Sequence, residues 1–188
     1  MIRMERGAAV SRIPNQKYYY NSEVQTADTG IEIWSFTGGE FRKVRRSDKN
    51  VINPDPSAKK NAMDPRSYDV YLIDKNRIET DESDSLYLPL GSGNDVAAVS
   101  FAYRVVDAPL LLSELRLTKR QYSHSALKKR IFEAILDCME RFGIPAFRQE
   151  TLGTEVSAYA SRLYKLIQEN TALGYLGVEL LSLKISLK

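Results

Sequence analysis

The chain has 188 residues, of which 43% are hydrophobic and 27% charged, and a formal net charge of +3; this composition is typical of a globular protein with apolar residues for one core and part of a second. A single cysteine, Cys138, and a single histidine, His124, exclude an internal disulfide, a multi-cysteine zinc site and most histidine-based active sites. No apolar run approaches the roughly 18 residues of a bilayer span and the first residues contain no secretory signal pattern, so we expect the cytoplasm or the cytoplasmic face of a membrane.

The N-terminal part of the chain predicts a flexible segment followed by a hairpin. Residues 1–27 mix arginine, serine, asparagine and glutamine, and we expect a flexible N-terminal segment there that leads into an early strand. Apolar and polar residues alternate over 30–36, which indicates a strand. The Thr-Gly-Gly-Glu sequence at 37–40 favours a tight turn, because glycine adopts a positive φ freely, and residues 41–44 form the returning strand.

The middle of the chain predicts loops and short strands. Asn-Pro and Asp-Pro dipeptides oppose helix over residues 45–67 and indicate a long loop. Strands are expected over 68–73 and over 86–90, where Pro89 indicates a strand end or an edge position. A glycine-containing turn at 91–95 precedes the strongest strand pattern of the chain.

That pattern lies at the start of residues 96–115. Large apolar side chains alternate there with small or polar ones, which predicts a strand with one apolar face. Asp107 is suited to cap a following helix, and Pro109 would lie in its first turn, where the missing N–H costs nothing. The leucines that follow have helical spacing.

Two long amphipathic helices come next. The first is expected to begin at a serine on either side of His124 and to end near Gly143. The second is expected to begin at Thr151 or Thr154 and to end at Gly174.

Residues 177–188 predict a closing strand. Alternate leucine and isoleucine side chains face one way, and the adjacent Leu180 and Leu181 indicate a bulge or a switch of faces. Strands, then helices, then a closing strand predict an α+β fold: a mainly antiparallel, curved sheet with helices packed on one face.

Three features that resemble catalytic motifs are better interpreted as structural. The Gly-Ser-Gly-Asn sequence at 91–94 lacks the lysine and the spacing of a phosphate-binding loop. His124 lacks the surroundings of a nucleophile elbow and is interpreted as a polar residue at a helix start. Cys138 lies among apolar helix residues and is interpreted as a small buried side chain. We therefore predict no catalytic residue, no cofactor, no metal and no enzymatic activity.

Basic residues form two clusters. The first comprises Arg42, Lys43, Arg45, Arg46 and Lys49, extended by Lys59 and Lys60. Of these, we assign Arg42, Lys43, Arg45 and Arg46 to contact with an anionic surface. The second lies within residues 116–130, contains no acidic residue and comprises Arg116, Lys119, Arg120, Lys128, Lys129 and Arg130. Either cluster is suited to phosphates of lipid headgroups or of nucleic acid. The alternative interpretation is a solvated face that balances the acidic stretch 74–84.

The stretch 96–115, with Tyr-Arg-Val-Val-Asp-Ala-Pro at its centre, resembles the central segment of the SPFH or band 7 superfamily, which includes stomatin, prohibitin and flotillin. In that family a strand ending in a hydrophobic-Arg-Val-x-Asp-Pro string leads into a short helix; here Ala108 is inserted between the aspartate and the proline. The sequence that begins at Gly174 is similar to the family's Gly-Ile-x-Val ending. The likeness covers roughly residues 28–188.

The resemblance implies one SPFH-like domain over residues 28–188 with a non-catalytic function. Such domains sit on or near membranes, assemble into homo-oligomers and organise or regulate partner proteins, so we expect self-association, an anionic lipid surface and a protein partner that the sequence does not identify. The family's coiled coil would begin near Lys188, which implies that the natural chain continues into a coiled coil or another domain. The alternative hypothesis is a nucleic-acid-binding or virion-type structural module that uses residues 116–130.

Overall fold

The computed structural model confirms an α+β fold in which every pairing between described strands is antiparallel. The residues described are 4, 6–14, 30–37, 39–44, 69–80, 86–89, 96–117, 119–141 and 156–187. Their elements are, in chain order, β1 Ala8–Ile13, β2 Ile31–Thr37, β3 Glu40–Lys43, β4 Val70–Asp74, β5 Ile78–Glu79, β6 Leu86–Pro89, β7 Val96–Val105, α1 Ala108–Leu115, β8 Gln121–Ser123, α2 His124–Arg141, α3 Val156–Glu169, a 3-10 helix Gly174–Leu176, and β9 Val178–Leu187.

The chain forms two compact units. Unit 1 comprises residues 1–76 and 112–124, and unit 2 comprises residues 77–111 and 125–188. The described strands form two sheets, whereas the sequence predicted one curved sheet. Alternation of side chains identifies the two faces of a strand but not the strand with which it pairs, and this is why the division was not predicted.

The sheet of unit 1 has the strand order β3–β2–β4–β1–β8. The predicted hairpin is confirmed, since Thr37 pairs with Glu40 across the turn and Gly39 has a φ of +85°. One face carries an apolar cluster whose members are the buried Ile13, Val70 and Leu72 and the partly buried Met4, Ile31, Ile33 and Val44.

Strand β1 lies inside the stretch expected to be flexible, so that expectation is wrong for residues 8–13. The strand pairs with β4 on one edge and with β8 on the other, and its first residues are buried. Arg12 Nε donates to Asp69 Oδ2 at 2.6 Å, and Arg12 Nη1 donates to the Leu117 carbonyl at 3.2 Å. The partner carboxylate is 57 residues away in sequence, so the local sequence gives no sign that this arginine belongs to a buried strand.

Strand β7 is the central strand of the unit 2 sheet. Strand β9 pairs with it from Ala97 to Val105. Strands β5 and β6 pair with successive parts of its other edge. The predicted strands over 96–105 and in the C-terminal tail are therefore confirmed, and so is the edge position of Pro89 among the described strands.

The bulge predicted in the closing strand is also confirmed. Ala102 pairs with Ser182 and the next residue, Tyr103, pairs with Leu180, so Leu181 is the extra residue of β9. The bulge changes which residues of β9 share the face of the buried β7 side chains: Leu180 precedes it and Ile185 follows it, and both are buried. The apolar face of the strand thus remains continuous although its sequence pattern shifts by one residue.

The end of β7, the start of α1 and the start of β9 meet at Gly177. The backbone N–H groups of Val106 and Asp107 both donate to the Gly177 carbonyl, at 2.9 and 3.0 Å. The predicted helix cap is confirmed, since Asp107 Oδ1 accepts from the Leu110 N–H at 3.0 Å. Gly177 has a φ of +63°, and a Cβ atom there would lie 2.1 Å from the Asp107 carbonyl oxygen. Glycine is required at this position by both its backbone conformation and the lack of space.

The long helices form where the sequence predicts them, and the end of α3 differs from the prediction. Helix α2 begins at His124, and the expected end near Gly143 and start at Thr151 or Thr154 lie outside the described residues. Helix α3 ends at Glu169 rather than at Gly174, because a left-handed residue at Thr171, with a φ of 47°, stops it earlier. Helix α3 packs against β9, where Gln168 Nε2 donates to the Leu180 carbonyl at 2.8 Å.

Candidate functional site

The first predicted basic cluster begins on β3, at the edge of the unit 1 sheet. The side chains of Arg42 and Lys43 are 64% and 52% exposed. Each lies beside a carboxylate: Arg42 Nη2 is 3.7 Å from Glu40 Oε2, and Lys43 Nζ forms an ion pair with Glu32. The other two predicted residues, Arg45 and Arg46, lie outside the described residues. The two described bases of this cluster are therefore matched by two acids.

Glu32 is the centre of a polar cluster next to β3. Its carboxylate accepts from Lys43 Nζ and from Trp34 Nε1, the latter at 3.0 Å, and lies 3.9 Å from Lys75 Nζ. Burial raises the pKa of Glu32, but the hydrogen bonds from Lys43 and Trp34 and the charges of Lys75 and Lys43 outweigh burial and hold the pKa below its usual 4.5. Lys43 thus has a structural role within the sheet, which the sequence did not predict.

The second basic cluster is divided between the two units. Arg116, Lys119 and Arg120 belong to unit 1 and are exposed. Lys128 and Lys129 belong to unit 2, on α2, where Lys128 is buried at 8% exposure and Lys129 is exposed. The absence of acids from this stretch of sequence therefore does not mean that all of its bases face solvent.

His124 is the first residue of α2, as predicted, and contacts Asp74 at the end of β4. The distance from Nε2 to Asp74 Oδ2 is 3.1 Å, and the two side chains are 12% and 16% exposed. Burial raises the pKa of Asp74, but the hydrogen bonds from His124 and from the Asn76 backbone outweigh burial and lower the pKa below 3.8. The contact joins β4 to the start of α2 within unit 1.

Cys138 is a small buried side chain, as the sequence predicted. It is 4% exposed, and burial raises the pKa of its thiol although the charge of Arg141 acts in the opposite direction. A buried thiol with a raised pKa is a weak nucleophile at neutral pH.

Cys138 also lines an open cavity of about 480 Å³ in unit 2, which the sequence did not indicate. One wall is a single face of α2, formed by residues 134, 137, 138 and 141. The other wall is the segment that follows α3, from Asn170 to Tyr175. The cavity therefore lies where the C-terminal ends of these two helices come together.

The wall after α3 is shaped by the hydrogen bonds that end the helix. The N–H of Thr171 donates to the Gln168 carbonyl and the N–H of Ala172 to the Ile167 carbonyl, both at 3.2 Å. This is the Schellman pattern, in which the left-handed position is usually glycine. Thr171 occupies that position, with a φ of 47°.

Two comparisons of the sequence with known proteins give no relative of this chain. No family model matches the chain, and no curated protein matches it. Among the helices described here, none has both the length and the apolar character needed to cross a membrane.

Proposed function

We propose that this chain is a non-catalytic scaffold domain, similar to SPFH or band 7 domains, that binds copies of itself and organises or regulates partner proteins at or near a membrane surface. The observation that carries this proposal is the junction at Gly177. The two sequence segments that resemble the family, residues 96–115 and the segment from Gly174, are hydrogen-bonded to one another there. Glycine at position 177 leaves room for the Asp107 backbone at the capped start of α1. The two segments therefore need each other's residues, which is a physical reason for them to occur together.

Self-association requires a surface that remains available in the single chain. Val106 and Leu110 lie on either side of the Asp107 cap and are 49% and 46% exposed. Large apolar side chains at this level of exposure are suited to contact between subunits, and a repeated contact of this kind builds a ring or an array.

The test compares the mass of the wild-type assembly with that of V106S/L110S by light scattering over a range of protein concentrations. We expect the double variant to shift to smaller species. Y87S, which changes another exposed apolar residue of unit 2, 44% exposed, is the control and should keep the wild-type mass. A chain that is monomeric at every concentration would remove the self-assembly part of the proposal.

Membrane contact is proposed through Arg42, Lys43, Arg45 and Arg46. A basic residue near an anionic surface contributes about 1 kcal/mol, and this falls with salt. Because Arg42 and Lys43 lie beside Glu40 and Glu32, most of the attraction must come from Arg45 and Arg46.

Sedimentation with vesicles measures this contact. Vesicles that contain phosphatidylserine should retain the wild type at low salt, and R45A/R46A should lose most of the binding. The control R77A/R104A removes the same charge from two exposed arginines of unit 2 and should bind as the wild type does. Equal recovery with neutral vesicles would remove the membrane assignment.

A second candidate function is nucleic-acid binding by the exposed Arg116, Lys119 and Arg120. Three basic side chains within five residues are suited to contact phosphates, and such binding weakens steeply as the salt concentration rises. Retention on a nucleic-acid column at about 50 mM salt that disappears in R116A/K119A/R120A supports this candidate; a chain that flows through leaves the scaffold proposal alone.

A further inference from the structure

Thr171 occupies a backbone conformation that is unfavourable for its residue type. Its φ is 47°, and a β-branched residue in the left-handed region is a conformational outlier. Among the described residues, the other positive φ values belong to Gly7, Gly39 and Gly177 and to Arg116, with a φ of 41°, whose side chain is not β-branched. A strained residue at a position where glycine would be more stable points to a function for its side chain.

Thr171 lines the cavity of about 480 Å³ together with charged groups of α2. Arg141 is exposed and has no ion pair or side-chain hydrogen bond to the other residues that the structure describes. Asp137 lies one helical turn before it, on the same wall of the cavity. The cavity thus combines a strained hydroxyl residue, an exposed guanidinium without an ion pair to the described residues, and a carboxylate, in a volume typical of small-molecule sites.

We propose that this cavity binds a small molecule that carries an oxyanion, a phosphate or a carboxylate, on a hydroxylated body. The guanidinium of Arg141 is the group that pairs in a bidentate manner with such an oxyanion. The Thr171 hydroxyl donates to the ligand, and Asp137 accepts from its hydroxyl groups, so a ligand that is anionic throughout is disfavoured. This site is separate from the proposed scaffold function and stands or falls independently of it.

Cys138 provides the measurement, because it lines the cavity and is the only cysteine of the chain. A bound ligand covers the thiol and slows its alkylation by iodoacetamide, which mass spectrometry follows on the full chain. A probe at about ten times its Kd slows the reaction about tenfold, since only the unoccupied fraction reacts. The probes are glucose 6-phosphate, gluconate and inorganic phosphate, with glucose as the uncharged control.

Protection by glucose 6-phosphate but not by gluconate assigns a phosphate ligand, and the reverse assigns a carboxylate. Protection by inorganic phosphate alone would overturn the claim that the ligand has a hydroxylated body. Glucose as effective as the charged probes, or no protection by any probe, would overturn the proposal.

Two pairs of variants connect the protection to named groups, with each rate compared with that of the same variant without ligand. R141A should lose the protection, whereas R162A, which removes an exposed arginine of α3 outside the cavity, should keep it. T171G should raise the thermal midpoint by about 2–4 °C and weaken the protection, whereas T171S should keep the protection. Full protection in R141A would overturn the role of the guanidinium, and full protection in T171G would overturn the role of the threonine hydroxyl.

Discussion

In unit 1, the carboxylates of Glu32, Asp69 and Asp74 each bond to a basic side chain at the sheet, whereas the sheet of unit 2 is built on the long pairing of β7 with β9 and closes on Gly177. Partly buried ion pairs therefore connect segments of unit 1. In unit 2, the ion pair between β7 and β9, Arg104–Glu179, is exposed, and the sheet relies on strand pairing, apolar burial and the close fit at Gly177. The stabilities of the two sheets should therefore respond to different perturbations. Each of the following experiments acts mainly on one sheet.

The largest effect is expected in unit 2 from Gly177→Ala. The new Cβ atom would lie 2.1 Å from the Asp107 carbonyl oxygen in a residue with a φ of +63°, and we expect a loss of about 4 kcal/mol of unfolding free energy. The control is Gly39→Ala in unit 1, where φ is +85° but no atom lies within 4 Å, and where about 1 kcal/mol is expected. Urea unfolding measures both, and equal losses would contradict the steric explanation.

The next effect is expected in unit 1 from Asp69→Ala. The Asp69 side chain is 1% exposed and its partner Arg12 is 18% exposed, so the change leaves a mostly buried guanidinium without its carboxylate and costs about 3 kcal/mol. Glu179→Ala breaks a pair in unit 2 whose side chains are 51% and 39% exposed, and it should cost less than about 1 kcal/mol. Chemical unfolding of the two variants measures the free energy that each one loses. A double variant R12M/D69L that recovers stability would support the explanation by burial.

A smaller effect is expected from Asp107→Ala in unit 2. The change removes the acceptor for the Leu110 N–H at the start of α1 and should cost about 1 kcal/mol. Asp107→Asn keeps a capping oxygen and should remain within about 0.5 kcal/mol of the wild type. If the two variants are equally destabilised, the charge rather than the cap is responsible.

The smallest effect is expected from pH, through two carboxylates of unit 1. The pKa values of Glu32 and Asp74 are lower in the folded chain than their ordinary values. Their contribution to stability is therefore present above the unfolded values of about 4 and is lost as the pH falls through the lower folded values. Amide exchange, corrected for its intrinsic pH dependence, should show β2 and β4 opening in acid before β7 and β9. Asp74→Asn should reduce this difference.

Much of unit 2 was predictable from sequence because its signals are local. Asp107 caps the next residues in the chain, and the adjacent Leu180 and Leu181 mark the bulge within the strand that contains them. The strand β7 was predictable because buried and less buried residues alternate along its own sequence.

Less of unit 1 was predictable because its contacts join distant segments. β1 contains an arginine whose carboxylate is 57 residues away in sequence, and β8 has three residues, which is too short for a pattern. Lys43 was assigned to a surface contact, but Glu32 binds it from the neighbouring strand. In unit 2, no feature of the sequence singled out the cavity residues Asp137 and Arg141.

The amino-acid pattern was sufficient for the α+β class, the hairpin at β2 and β3, the capped start of α1 and the bulged closing strand, because these depend on residues close together in the chain. Three-dimensional packing was needed to assign the strands to two sheets, to pair each carboxylate with its base and to bring the ends of α2 and α3 around a cavity. The physical reason is that burial and ion pairing depend on distance in space, and the side chains involved are far apart in a sequence whose local pattern does not encode which partners come together.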